Sequence, residues 1–174
     1  MFLYTVRVFC QIVLGYIKDV KLLINANKQR YYIVKFRCGI SDLDTYFHMN
    51  NSKYLHIAEL ARWRVFPTSK LLSTSLENRW MFLAVEQNIR YLKPIQLGKK
   101  FIVRTTLDSL DNKWLIYNHY FEQDSSDIIE KGNEPIQYCH VSLRAVIKEK
   151  SGKTVRPSDM ILKSDWNKEM MSKL

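Results

Sequence analysis

A short polar string near residue 44 holds the side chains best suited to chemistry. It reads Ser41-Asp42-Leu43-Asp44-Thr45-Tyr46-Phe47-His48-Met49-Asn50-Asn51. A carboxylate is ionised at neutral pH and can act as a general base or a nucleophile, and an imidazole can orient water or donate a proton to a leaving group. The carboxylates Asp42 and Asp44 are therefore candidates for such chemistry, and His48 and Asn50 are candidate catalytic residues beside them.

A helix is predicted immediately after this string, from about residue 51 to residue 66. An asparagine at 50 or 51 supplies an N-cap oxygen, and Pro67 ends or kinks the helix. The buried face is marked by apolar residues at helical spacing, namely Tyr54, Ala58, Ala61 and Val65. Unpaired N–H groups at a helix start can bind an oxyanion. Asp and Asn before a helix are also common as plain loop and capping residues, so both interpretations stay open on this pattern alone.

The remaining segments alternate apolar and polar residues with the period of β-strands. Five strands are predicted, at 32–38, 80–92, 101–107, 115–121 and 139–147. Together with one long helix, they indicate an α+β layer architecture.

The N-terminus is apolar except for one polar stripe at helical spacing, made by Arg7, Gln11, Gly15, Lys18, Lys21 and Asn25. The longest uncharged run after Arg7 has only ten residues, Val8 to Ile17, whereas a spanning helix needs about 20. Either the helix packs on the domain or a partner subunit, or residues 2–24 lie in a membrane interface with basic side chains toward the headgroups. We expect residues 1–29 to form this amphipathic helix and a linker, 30–156 the main domain and 157–174 a tail.

Composition excludes several classes of protein. Hydrophobic residues make up 47% and charged residues 25%, which is typical of a folded domain. Three cysteines without a CxxC pair favour a reducing, cytoplasmic setting, and four histidines without ligand spacing predict no metal. The net charge of +10 favours anionic partners, but it is spread along the chain without a dense block, so no nucleic acid is expected.

Two strings resemble those of hotdog-fold thioesterases. Asp42-Leu43-Asp44, His48-Met49-Asn50-Asn51 and Tyr54-Leu55 are similar to the SDxD…H-[VM]-NN-x-x-Y-L string of 4-hydroxybenzoyl-CoA and acyl-CoA thioesterases. Arg90-Tyr91-Leu92-Lys93-Pro94 and Leu97-Gly98 resemble a turn between two strands of that fold. The apolar N-terminus is similar to that of a THEM6-like subgroup. The resemblance covers about residues 31 to 150 and implies a curled antiparallel five-stranded sheet wrapped around a central helix, with an extra N-terminal helix.

The resemblance also implies an activity: hydrolysis of an acyl-CoA (or acyl-ACP) to a carboxylic acid and the free thiol, without a cofactor. Asp44 would be the catalytic carboxylate, and the oxyanion would bind at the helix start. The residues expected to contact substrate are Phe47, Asn51, Tyr54, Arg90 and Lys99. Relatives build their sites between subunits, which implies a homodimer or homotetramer. The alternative is a non-catalytic acyl or lipid binder at a membrane surface.

Two positions depart from the family pattern. Many relatives have a glycine just before the histidine, and this chain has Phe47 there. Plant acyl-ACP thioesterases carry an asparagine two residues before the histidine, where this chain has Tyr46. The substrate pocket is therefore expected to differ in shape from that of those relatives.

Overall fold

The computed structural model describes residues 2–16, 20–24, 30–109, 113–124 and 135–163. In chain order the elements are α1 (Phe2–Tyr16), β1 (Lys21–Ile24), β2 (Arg30–Arg37), a 3₁₀ turn (Ile40–Asp42), α2 (Asn51–Thr68), α3 (Leu71–Asn78), β3 (Trp80–Tyr91), β4 (Lys100–Ser109), β5 (Leu115–Gln123), β6 (Gln137–Glu149), β7 (Thr154–Val155) and α4 (Pro157–Lys163). Residues 110–112 between β4 and β5, the predicted linker at 25–29 and residues 125–134 after Asp124 lie outside the described residues.

The strands form one antiparallel sheet that curls around α2, in the order β1-β2-β4-β5-β6-β3, with β7 paired to β6. Alternate residues of β4, β5 and β6 are buried beneath the helix because successive side chains in a strand point to opposite faces. The five predicted strands correspond to β2 through β6, and the hotdog prediction is confirmed. Two short strands, β1 and β7, extend the sheet.

The helical segments differ from the sequence expectation after residue 66. Pro67 lies inside the last turn of α2, which continues to Thr68. Ser69 then caps the end, donating its N–H to the Val65 carbonyl at 3.0 Å. A second helix, α3, was not predicted because its sequence is short and rich in serine, which is a mediocre helix former. Burial of Leu71 in the core stabilises it instead.

The N-terminal helix is shorter than its polar stripe suggested. It ends at Tyr16, and Lys21–Ile24 form β1, which pairs with β2 from Lys21↔Ile33 to Ile24↔Arg30. The prediction of one helix through Lys21 was therefore wrong: the backbone groups of this segment complete the edge of the sheet. Lys18 and Asn25 lie outside the described residues.

The orientation of α1 is also the reverse of a simple amphipathic helix. It packs on α2 with Arg7 and Gln11 half-buried, and Arg7 reaches Asp42 in the 3₁₀ turn before the loop that leads to α2. Its exposed residues are mostly apolar, namely Val6, Phe9, Cys10 and Val13, with Thr5 beside them. Within the described residues, no helix is both long enough and apolar enough to cross a membrane.

Candidate active site

The loop between β2 and α2 is held in place by pairing with its own ends and with the turn before β4. Leu43 pairs with Met49 and His48 with Gln96 in isolated antiparallel bridges. The Met49 N–H donates to the Ile95 carbonyl at 2.7 Å. The polar string is therefore an ordered loop, and the turn that resembles the family's second string supports it.

Asp42 stabilises this loop from inside. It is 5% exposed, and its Oδ2 accepts the Gly39 N–H at 3.0 Å. Its Oδ1 is approached by Arg7 of α1 at 3.9 Å and by Lys53 of α2 at 4.0 Å. The Asn50 N–H donates to the Asp42 carbonyl oxygen at 2.8 Å. Asp42 thus joins α1, the loop and the start of α2.

Asp44 and His48 form a pair at the loop surface. His48 Nδ1 lies 3.1 Å from Asp44 Oδ2, and the Tyr46 N–H donates to Asp44 Oδ1 at 2.9 Å. The two side chains are partly open to solvent, with exposed fractions of 20% for Asp44 and 36% for His48. A carboxylate that holds Nδ1 of an imidazole fixes the ring and directs Nε2 away from itself. The pair can therefore accept a proton from a nearby water.

Phe47 adopts a backbone conformation that normally favours glycine. Its φ is +60°, in the left-handed region, and its side chain is 76% exposed. Neighbouring Tyr46 is 79% exposed and stacks on His48 with ring centroids 6.0 Å apart. The loop thus keeps the turn that a glycine would allow, but presents two aromatic rings beside the Asp44–His48 pair.

The start of α2 has one amide available for an oxyanion. Asn50 is the N-cap: its Oδ1 accepts the Ser52 N–H at 2.9 Å and the Ser52 hydroxyl at 2.7 Å. The Lys53 N–H donates to the Asn50 carbonyl. In the described part of the chain, the Asn51 N–H is the only amide between residues 49 and 53 for which no hydrogen bond is found. Asn50 therefore acts as a cap in this arrangement, and Asn51 carries the open donor.

Tyr54, expected on the buried face of α2 and also as a substrate contact, lies in the core, and Tyr91 takes the exposed position beside the helix start. Tyr54 is 2% exposed and packs edge-on against Tyr91, centroids 5.3 Å apart, and against Phe121. Burial raises the pKa of Tyr54 to about 12, so it is a neutral core residue. Tyr91 was not predicted, yet its hydroxyl donates to the Asn51 carbonyl at 3.1 Å and the side chain is 43% exposed. Tyr91 therefore forms the wall beside the helix start.

Arg90 and Lys99 lie on either side of this centre. Arg90 adjoins Tyr91 in β3, and adjacent strand residues point to opposite faces, so Arg90 lies on the outer face beside His140. Lys99 follows the turn that pairs with His48, and its carbonyl accepts the Cys38 N–H at 3.0 Å. Of these two cations, only Lys99 lies next to the turn that pairs with the loop carrying Asp44 and His48.

A buried polar cluster between α2 and the sheet was also missed. His119 is fully buried in β5, with Nε2 3.1 Å from Arg62 Nη1 and Nδ1 3.0 Å from Thr105 Oγ1. Burial, with the nearby charge of Arg62, holds the pKa of His119 well below its ordinary value. The available signal was a histidine at an inward position between Tyr117 and Phe121.

The thiols in the core are poor nucleophiles. Burial raises the pKa of Cys38 to about 11 and that of Cys139 to about 12, so neither forms a thiolate readily at neutral pH. Among the described residues, no group of three or more His, Cys, Asp or Glu is placed to hold a metal ion. The chemistry of the site therefore centres on the carboxylate and the imidazole.

The chain belongs to the thioesterase-like superfamily, whose family model matches residues 38–163. It is similar to protein THEM6 of Xenopus laevis, with 33% identity over 88 residues that cover 51% of this chain and 42% of that protein. It is also similar to the long-chain acyl-CoA thioesterase FadM of Escherichia coli (strain K12), with 32% identity over 71 residues that cover 41% of this chain and 54% of the relative. Each match thus spans about half the length of the curated relative.

Solved structures share the fold at low sequence identity. The probable thioesterase YbaW of Escherichia coli superposes with a TM-score of 0.66 and 20% identity, covering 75% of this chain and 93% of that one. The 4-hydroxybenzoyl CoA thioesterase from Pseudomonas sp. strain CBS-3 superposes with a TM-score of 0.62 and 14% identity, covering 76% of this chain and 97% of that one. These likenesses establish the hotdog fold.

Proposed function

We propose that this protein hydrolyses an acyl-CoA thioester to a carboxylic acid and CoA at the Asp44–His48 pair. The observation that carries the proposal is the 3.1 Å contact between these residues on the loop that leads into α2. The Asn51 N–H at the helix start supplies a donor for the oxyanion. Similarity to a long-chain acyl-CoA thioesterase supports the choice of substrate class.

The geometry favours water attack over a covalent intermediate. Asp44 Oδ1 accepts the Tyr46 N–H and Oδ2 lies 3.1 Å from His48 Nδ1, so both carboxylate oxygens are engaged within the loop, which disfavours direct attack by Asp44. In the proposed step the water oxygen bonds to the thioester carbonyl carbon while the Asp44–His48 pair takes the water proton. The carbon–sulfur bond then breaks, and the same proton passes to the leaving thiolate. Asp44 acting directly as nucleophile is the competing route.

The aromatic side chains around the pair suit an apolar acyl group. Tyr46 and Phe47 are exposed beside Asp44, and Leu97 is 50% exposed in the turn that pairs with His48. Burying such side chains against a fatty chain would recover the hydrophobic free energy lost by their exposure to water. Phe47 is therefore proposed as a substrate contact in place of the family glycine.

A homodimer is proposed through β3, which lies at one edge of the sheet. This strand is exposed along most of its length, and its apolar residues Met81, Leu83 and Val85 are between 46% and 55% exposed. An open edge with apolar side chains is a template for pairing with a second strand. Pairing there would cover the strand that also carries Tyr91, so a second subunit would close one wall of the site.

Substitution of Asp44 tests the activity. We expect Asp44→Asn to lower the rate of thiol release from long-chain acyl-CoA by about a hundredfold or more. The control Glu77→Gln, which removes a carboxylate from an exposed position on α3, should leave this rate unchanged. Single turnover in ¹⁸O-labelled water tests for the covalent route, because direct water attack labels only the product acid, whereas hydrolysis of an acyl–Asp44 anhydride at its aspartyl carbonyl labels the Asp44 carboxylate. Equal rates for Asp44→Asn and the parent would exclude this site.

The outer face of α1 favours a second candidate function, an acyl or lipid binder held at a membrane surface. Val6, Phe9 and Val13 are exposed on α1, and helices that lie in a membrane interface bury an apolar face of this kind among the headgroups. We expect Val6→Ser/Phe9→Ser/Val13→Ser to abolish flotation with anionic vesicles. Leu76→Ser, which removes an exposed apolar residue from α3, should not. Saturable fatty-acid binding without turnover of any acyl-CoA or acyl-ACP would favour this function over hydrolysis.

A further inference from the structure

An open cleft of about 370 Å³ lies at the end of the sheet where β2 stops and β4 begins. Its lining residues are Lys35, Phe36, Arg37, Lys100 and Asp124. Three of the five are cations and one is an anion. The cleft is separate from the Asp44–His48 pair, and none of its residues belongs to the loop that carries this pair.

The single carboxylate of the cleft is already neutralised. Asp124 is 2% exposed, and both of its oxygens accept from Lys35 Nζ, at 2.8 and 3.1 Å. Lys35 therefore serves to balance a buried charge. Two positive charges, on Arg37 and Lys100, remain.

Arg37 and Lys100 are direct cross-strand partners in the β2–β4 register, and both are exposed. Like charges placed directly opposite each other destabilise a sheet. Within the described residues, neither side chain forms an ion pair. The pair thus concentrates positive charge at one point of the sheet at a cost to stability.

Two other arginines on the outer face of the sheet, in contrast, form ion pairs with glutamates. Arg104, in the same strand as Lys100, is held by both carboxylate oxygens of Glu122, at 2.6 and 3.1 Å. Arg144 of β6 contacts Glu86 at 3.0 Å. Arg90, also on this face, has no carboxylate partner among the described residues, but it does not face a second cation. Arg37 and Lys100 differ from these arginines because two cations without a described ion-pair partner lie directly opposite each other in the register.

We propose that Arg37 and Lys100 form a binding site for a phosphate group. A guanidinium offers two parallel N–H donors to phosphate oxygens, and an ammonium adds a point charge from the other side. Lys35 keeps its contacts with Asp124 when phosphate binds, and its side chain forms one wall of the site. A phosphate dianion would neutralise both free cations and remove their repulsion.

The position of the cleft fits the carrier end of the substrate, an identification that rests on the proposed function. The Cys38 N–H, one residue after Arg37, donates to the Lys99 carbonyl, and the turn before Lys99 pairs with His48. The phosphates of CoA lie at the far end of a long flexible arm from its thioester. A phosphate at Arg37 and Lys100 can therefore belong to a ligand whose reacting carbon is at Asp44.

Binding of adenosine 3′,5′-bisphosphate, the nucleotide end of CoA, tests the site without any thioester. We expect calorimetry to show that Arg37→Gln/Lys100→Gln weakens binding at least tenfold, and that binding of the parent falls as salt rises. The control is Arg79→Gln/Lys150→Gln. These two exposed cations flank the Trp80↔Glu149 register pair of β3 and β6, so the control removes the same types and number of charges from another pair of strands.

A second arm distinguishes a nucleotide from a lipid as the source of the phosphate. Vesicles containing phosphatidic acid present the same group on a membrane. If Arg37→Gln/Lys100→Gln loses vesicle binding but binds the bisphosphate as the parent does, the site is assigned to a lipid headgroup. Unchanged binding of both probes, or equal losses in the control variant, would overturn the site.

Turnover gives a third and independent readout. With acyl-CoA, Arg37→Gln/Lys100→Gln should raise KM while kcat stays unchanged, because the phosphate is bound equally in the ground and transition states. With the acyl thioester of N-acetylcysteamine, which has no phosphate, the variant should match the parent. If hydrolysis at Asp44 proves absent, the bisphosphate result still decides whether the cleft binds phosphate.

Discussion

Asp44 Oδ2 lies 3.1 Å from His48 Nδ1, and the two residues stand at opposite ends of one tight turn. The turn is closed by the Asp44 N–H, which donates to the His48 carbonyl at 2.9 Å. Backbone and side chains of the same two residues therefore fix each other. This double link makes the separation of carboxylate and imidazole a property of the loop, independent of any substrate.

His48 is expected to be as necessary as its partner. His48→Gln removes the ring that would relay the proton and should lower kcat by about a hundredfold to ten-thousandfold, a typical contribution of general acid–base catalysis. His140→Gln is the control because His140 lies on the outer sheet face, stacked on Tyr120. Steady-state thiol release measures both. Full activity in His48→Gln would assign proton transfer to Asp44 alone.

Asn50 is expected to act through helix capping. Asn50→Ala should lower the free energy of unfolding by about 1 kcal/mol, because the Ser52 N–H loses its acceptor. Asn50→Ser restores a capping oxygen and should return both stability and turnover toward the parent. Urea denaturation and thiol release are measured on the same samples. Restored stability with lost turnover would show that the amide also touches substrate.

The strained backbone at Phe47 gives a stability prediction. A side chain in the left-handed region costs about 1–2 kcal/mol, which glycine avoids. Phe47→Gly should therefore be about 1 kcal/mol more stable than Phe47→Ala in urea denaturation. Ile40 is also exposed but has no positive φ, so there the alanine variant should be more stable than the glycine variant. The same order at both positions would mean that the turn relaxes without the aromatic ring.

The buried histidine predicts a stability that falls on mild acidification. Because the pKa of His119 is lowered well below its ordinary value, the unfolded chain takes up the proton first as the pH drops. Stability is therefore complete above about pH 6.5, the ordinary histidine pKa, and falls by up to about 1.4 kcal/mol per pH unit below it. Lowered pKa values at His56 and His140 add in the same direction.

Denaturant titrations between pH 6.5 and 5 test this contribution. His119→Gln should reduce the slope of unfolding free energy against pH, whatever its effect on absolute stability. His140→Gln, with a smaller and half-exposed contribution, should reduce the slope less. An unchanged slope in His119→Gln would contradict the prediction.

The exposed edge strand predicts how the subunits assemble. Leu83→Lys places a charge in the apolar stretch of β3 and should convert a dimer to a monomer in sedimentation experiments. Leu76→Lys, at an exposed apolar position on α3, should leave the mass of the assembly unchanged. A dimer that survives Leu83→Lys would place the interface elsewhere.

The sequence by itself determined the elements whose pattern is local. The alternation of Leu115 through Phe121 and of Cys139 through Ile147 required half-buried strands, since a strand repeats every two residues. The spacing after Asn50 required the central helix. The string around Asp44 and His48 indicated the superfamily, because those residues and the turn that contains them are neighbours in the chain.

Tertiary structure alone decided the features that depend on distant contacts. Tyr54 was expected both on the buried face of α2 and against the substrate, and the packing of α2 against Phe121 shows that it is buried. Tyr91, for which the sequence predicted no role, remains at the surface. The pairing of Arg62 with His119 joins residues 57 positions apart.

The orientation of α1 was decided in the same way. Periodicity identifies which residues share a helix face, but the partner that covers this face is set elsewhere in the fold. Here Arg7 lies 3.9 Å from the buried Asp42, so Arg7 and Gln11 of the polar stripe face inward and the apolar residues around Phe9 face outward. The helical period therefore determines which residues share a face, while contacts with Asp42 and α2 determine which face is covered.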